Sequence, residues 1–141
     1  MTSFKDCLEN KRIFRFEPAK QLVGLEIEDA ESDLRSAKEE LSESGFKWAT
    51  IKGYYSMFHS ARALLYSRGY REKGHYCLYL ALKEFFVQEK RLYPKLAEDF
   101  NNSMILREDA DYRRKFSQES SQAVIESAEE FLKTAKDILK K

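Results

Sequence analysis

Three stretches of this chain carry residue types that could do chemistry. In the first, Tyr55, His59, Arg62 and Tyr66 follow one another at intervals of 4, 3 and 4. On a helix those intervals stack side chains along one stripe, here the edge of an apolar face. An arginine between tyrosines can lie on a ring and still turn its fork of donors toward a phosphate. The same types equally suit an arginine snorkelling from a core edge, with the histidine bonded to a neighbouring helix. In the second stretch, YSRGYREKGHY, Arg68, Arg71, Lys73 and His75 surround two glycines and a single acid, Glu72. Backbone freedom and cations together suit a phosphate or an RNA backbone; a solvated basic loop has the same composition. The third, LREDADYRRK, sets Arg107 four residues before Asp111 and Glu108 four before Tyr112. That is either a surface helix laced with pairs worth ~0.2–0.5 kcal/mol each, or a projection of Arg107, Asp111 and Tyr112 into a groove.

Other chemistries find no support. There is no glycine-rich phosphate loop or dinucleotide fingerprint, and no HExxH or Cys/His cluster, so no cofactor and no metal is expected. His59 and His75 have no serine or cysteine in a nucleophile motif. A formal net charge of +1 gives no global pull on nucleic acid, which leaves only local patches. Cys7 and Cys77 are far apart in sequence, and the expectation is two free thiols in a reducing cytosol. The first residues are charged throughout and no apolar run approaches ~18 residues, so neither secretion nor a membrane span is expected.

These candidates need helices to position them. Of 141 residues only five are glycine and two proline, too few breakers for an all-β chain. Val23, Ile27, Ala30, Leu34, Ala37 and Leu41 form one stripe of a helix that starts near Pro18 and closes at Ser44-Gly45. Ile51, Tyr54, Tyr55, Phe58, Ala61, Leu64 and Leu65 give a second helix, about Phe46 to Arg68, a face wide enough for a central position. Gly53 within it costs up to ~1 kcal/mol against alanine, which suggests a close backbone contact there. After a basic, flexible connector, a third helix from His75 to Lys90 is expected to bury Leu78, Ala81, Leu82 and Phe85. Pro94 leads into a shorter fourth helix through LREDADYRRK, and Val124, Ala128, Phe131, Ala135 and Ile138 mark the last. The expected fold is all-α: one domain over 1–141, an antiparallel up-and-down bundle of four to five helices, with a short extra helix within 1–17.

The run GYYSMFHSARALLYSRG, the turn YREKGH, an apolar third helix and then LREDADY together resemble the HEPN family, small helical domains named for higher eukaryotes, prokaryotes and nucleotide binding. The likeness runs from about Glu26 to Leu139. It implies a helical bundle that pairs as a homodimer, a cytoplasmic setting, and for many members metal-independent cleavage of RNA as the toxin partnered by a minimal nucleotidyltransferase. Active members carry an R-x4-6-H motif near the start of a late helix. Here Arg107 matches the arginine, but Asp111-Tyr112 stands where the histidine is expected. An aspartate beside an arginine stays ionised and is a poor general acid, and a tyrosine with an ordinary pKa of ~10 is a poor base. The resemblance therefore implies a nucleotide- or RNA-phosphate-binding module, with ribonuclease activity and a purely protein-binding role as alternatives. Arg107, Asp111 and Tyr112 are the catalytic candidates; Tyr55, His59, Arg62, Arg71, Lys73 and His75 are the ligand-binding ones, and one common groove is expected to gather Arg107, Asp111 and Tyr112 with the Tyr55/His59/Arg62 edge.

Overall fold

The stripe that begins at Val23 forms a 24-residue helix, Ala19–Ser42 (α2), which packs along a second long helix, Phe46–Ser67 (α3), in a computed structural model that describes residues 2–140. Ala30, Leu34 and Ala37 are buried between them, with Ile27 and Leu41 at the margins. The corner between the two helices uses Ser44, not Gly45, in the left-handed conformation (φ 62°). Gly45 serves by its size: its N–H donates to the Glu40 carbonyl at 2.7 Å, and a Cβ there would meet Glu40 Oε2 at 2.6 Å.

α3 is the central element, with Tyr54, Met57, Ala61, Ala63 and Leu64 fully buried. Gly53 explains how the last helix, Gln118–Leu139 (α6), comes so near. A Cβ at Gly53 would lie 3.0 Å from Val124 Cγ1 and 3.3 Å from Ile125 Cγ1, so the missing methyl is the space into which α6 settles. Ser117 caps α6 through Ser120, while Val124, Ala128, Phe131 and Ala135 face the core. Between them Pro94–Tyr112 (α5) begins on its proline and buries Leu96, Phe100, Met104 and Arg107; its 19 residues exceed the short helix the pattern suggested. The result is an all-α, up-and-down bundle.

Three features depart from expectation. The third helix is α-helical over His75–Leu82 (α4) and then widens into a π turn, Lys83–Val87. The extra residue in that turn rotates the phase, so Phe86 is buried and Phe85 is left at the edge, against Phe4 and Tyr70. Nor is the basic connector a free loop. Tyr70–Glu72 (β2) pairs antiparallel with Ile13–Arg15 (β1), Ile13 opposite Glu72 and Arg15 opposite Tyr70. Finally, the cysteines are not free thiols: Cys7, on the short helix Phe4–Glu9 (α1), is disulfide-bonded to Cys77 in the first turn of α4. Sequence distance concealed this pair, because the β1–β2 ribbon folds the N-terminal segment back over the start of α4.

Candidate anion site around Arg107

Arg107 points inward from α5, and its side chain is only 9% exposed. Such burial demands partners, yet those present are thin. One terminal nitrogen, Nη1, lies 3.4 Å from Asp111 Oδ2 and 3.5 Å from the Tyr112 hydroxyl, both at the limit of a hydrogen bond. Nε makes no hydrogen bond and is buried, the one side-chain polar atom in that condition among the described residues. What surrounds the guanidinium instead is aromatic: its carbon sits 5.4 Å from the ring centres of Tyr54 and Tyr55 and 5.7 Å from that of Tyr112. Electron-rich ring faces hold the cation without consuming its N–H donors.

Tyr54 carries the site onward. Its ring lies beneath Arg107, and its hydroxyl is 2.5 Å from Nδ1 of His75, whose ring stacks on Phe58 with centroids 4.5 Å apart. Burial, then the positive charges of Arg107 and Arg62, push the His75 pKa down to about 4, so the imidazole is neutral near pH 7. Burial also raises the Tyr54 phenol far above its ordinary range, and it keeps its proton. A Tyr54 O–H directed at Nδ1 places the imidazole proton on Nε2. On its other side His75 borders an open cleft of about 610 Å³ that is also lined by Arg12, Lys73 and Tyr76. The exposed Lys73 ammonium lies 5.5 Å from the Phe14 ring centre, and the Arg71 guanidinium 5.0 Å from that of Phe16.

The other half of the expected groove turns elsewhere. Arg62 donates to both oxygens of Glu72, from Nη2 at 2.5 Å and from Nε at 3.1 and 3.2 Å, and reaches Glu26 at 3.4 Å. Glu72 is all but buried, with its side chain 2% exposed. His59 sits between Glu26 (Nδ1–Oε1 3.2 Å) and Asp33 (Nε2–Oδ2 3.6 Å). Its burial opposes protonation, but the Glu26 hydrogen bond and the charges of Glu26, Asp33 and Asp29 outweigh it and raise the pKa above the ordinary histidine value. The structure thus gathers Arg107, Asp111, Tyr112, Tyr55 and His75 into one cluster and places His59 and Arg62 in a carboxylate cluster of their own, with Phe58 between. Arg68, the first cation of the basic stretch, is committed elsewhere: it donates to Glu89 at 2.7 Å and to the Phe85 carbonyl at 3.3 Å.

Comparison with known proteins decides the lineage. The HEPN domain profile matches residues 25–139. This chain belongs to the HEPN family. Along 115 residues it is 32% identical to a Methanocaldococcus jannaschii protein named "Putative toxin MJ0605", a match spanning 81% of this chain and 86% of that one. Within this HEPN domain, then, the arginine of α5 is joined through Tyr54 to an imidazole at the start of α4. Tyr54, which joins the two, was read from the sequence only as a core residue. The doublet Tyr54-Tyr55 held the signal: adjacent helical residues diverge by about 100°, so one ring of such a pair faces the core and the next its edge.

Proposed function

We propose that this HEPN domain binds a phosphate of RNA or of a nucleotide at Arg107, and that it is the HEPN member of a toxin–antitoxin-like pair whose partner is a nucleotidyltransferase. The observation that carries the reading is the buried Nε of Arg107, an N–H donor held among tyrosine rings with no acceptor. An anion with several acceptor oxygens answers that geometry, since a guanidinium fork matches two phosphate oxygens. Tyr55 and the exposed Tyr112 offer faces for a base or ribose, and Lys73 with Arg71 offers charge for a flanking phosphate. Family membership and the name of the relative support the toxin-like role. No described helix is long and apolar enough to cross a membrane. The proposed setting is cytoplasmic and the proposed state a homodimer; an intracellular disulfide is the pattern of hyperthermophilic organisms.

Metal-independent cleavage of RNA is the second reading, favoured by the Tyr54 bridge between Arg107 and a neutral His75. In that reading Arg107 would answer the charge that develops on the phosphorane, and Nδ1 of His75 takes a proton only once the Tyr54 hydroxyl has turned away from it. One experiment separates the readings. A fluorescently labelled mixed-sequence RNA is titrated with the protein in chelator, and the same samples are run on a denaturing gel. Saturable binding that falls at least tenfold in Arg107→Ala, with intact RNA, supports the binding module. Cleavage lost in both Arg107→Ala and His75→Gln establishes the ribonuclease. Neither binding nor cleavage by the wild type refutes both.

A further inference from the structure

The carboxylate cluster on the far side of Phe58 has a surplus of negative charge. Glu26, Asp29 and Asp33 project from α2 at intervals of 3 and 4, Glu72 arrives from β2, and among the described residues Arg62 is the one permanent cation hydrogen-bonded to them. Arg62 is committed chiefly to Glu72, by three contacts of 2.5–3.2 Å against one of 3.4 Å to Glu26. Glu26 is buried and Asp33 half-buried, and water screens such groups poorly. One donor atom each from Glu26, Asp29 and His59 lies within 4.8 Å of the others, and Glu26 Oε1 is 3.2 Å from His59 Nδ1. Donors on a four-coordinate ion at ~2.0–2.1 Å stand about 3.3 Å apart, so this edge already has the length a metal needs.

The remaining ring nitrogen supplies the second sign. His59 Nε2 faces Asp33 Oδ2 at 3.6 Å. A carboxylate opposite the non-ligating nitrogen is the usual companion of a metal-bound histidine: it fixes the ring and keeps the proton on that side, leaving the lone pair on the other. We propose that Glu26, Asp29 and Nδ1 of His59 bind a divalent first-row transition ion, with Asp33 orienting the imidazole. One imidazole and two carboxylates suit Zn²⁺ or Mn²⁺ better than Ca²⁺, which prefers more oxygen ligands. The ion would tie α2 to α3 opposite the Arg62–Glu72 pair. Because this cluster lies outside the Arg107 site, the proposal stands apart from the phosphate-binding reading.

The test is calorimetric titration of the full, oxidised chain with ZnCl2 and separately with MnCl2, at neutral pH in a non-coordinating buffer. The wild type is compared with Asp29→Asn, His59→Gln and His75→Gln, each first shown by circular dichroism to be folded. Asp29 is exposed, so its variant folds even if His59→Gln does not. The expected result is one saturable site for at least one of the ions, weakened tenfold or more by Asp29→Asn and by His59→Gln but kept by His75→Gln. Absence of saturable binding up to 1 mM of either ion, or binding that Asp29→Asn leaves unchanged, overturns the proposal.

Discussion

Two arginines in this domain are well covered, and replacing each by methionine should give opposite thermodynamic results. Arg62 is tied to Glu72, whose carboxylate is almost wholly removed from solvent. Arg62→Met leaves that carboxylate buried and unpaired, which costs ~3–5 kcal/mol. Arg107 has no comparable debtor: Asp111 is one-third exposed and regains water, and Tyr112 is largely exposed. Arg107→Met forfeits three ring contacts, each worth ~0.5–1 kcal/mol, and removes a buried unpaired N–H that costs ~1–3 kcal/mol. These terms offset, and the net change is within about 1 kcal/mol of zero. At about 4 °C per kcal/mol for a chain of this size, Tm falls by ~12–20 °C for Arg62→Met and moves by less than ~5 °C for Arg107→Met. Chemical denaturation followed by circular dichroism, with m-values checked for equality, measures both. Adding Glu72→Gln to Arg62→Met should recover part of the loss, since the stranded charge is its source. Equal destabilisation by the two single variants would refute the reasoning: Arg107 would then be a structural keystone rather than a cation held ready for a ligand.

Two further outcomes follow from the structure. His75 has its pKa lowered to about 4 from an ordinary 6.5, so as pH falls below 6.5 the unfolded chain takes up the proton first and the native state loses stability progressively toward pH 4. The His75 Cε1–H resonance should titrate near 4, with His59 titrating higher, and His75→Gln should flatten the stability profile between pH 6.5 and 4; a His75 midpoint near 6.5 contradicts the buried Tyr54–His75 arrangement. The Cys7–Cys77 disulfide spans a sequence separation of 70, and its reduction, or the pair Cys7→Ser and Cys77→Ser, should cost ~2–4 kcal/mol. Thiol titration of the denatured, unreduced chain checks the premise, and two reactive thiols there would contradict the bond.

Helical periodicity carried most of the fold because it reports directly on which way each side chain leaves its own helix. The stripe from Ile27 to Leu41 and that from Val124 to Ile138 both face the core, and Gly53 sits where α6 presses closest. Elements without such a period escaped. The three-residue strands β1 and β2 are too short to alternate legibly, and each exists because the other supplies its hydrogen bonds. The π turn escaped for a related reason: its apolar run, Phe85-Phe86-Val87, reads as helix core in either phase. The disulfide depends on that ribbon and could not be inferred before it.

The site was legible in its residue types and illegible in its pairings. Arg62 and Arg107 both appeared as arginines beside tyrosines, and spacing along a helix could not say which had its donors filled. That difference is made by an acid from another element. Glu72 on β2 and Glu26 on α2 claim Arg62, whereas α5 offers Arg107 Asp111 and the Tyr112 hydroxyl, both at the edge of reach. The same logic divides the histidines. His59 and His75 sit in surroundings of opposite sign, one among carboxylates and one beside two guanidinium groups, and their pKa values move apart accordingly. Phe58 separates them, with its ring against both His75 and Arg62. A single aromatic residue on α3 therefore stands between the arginine–tyrosine cluster and the carboxylate cluster.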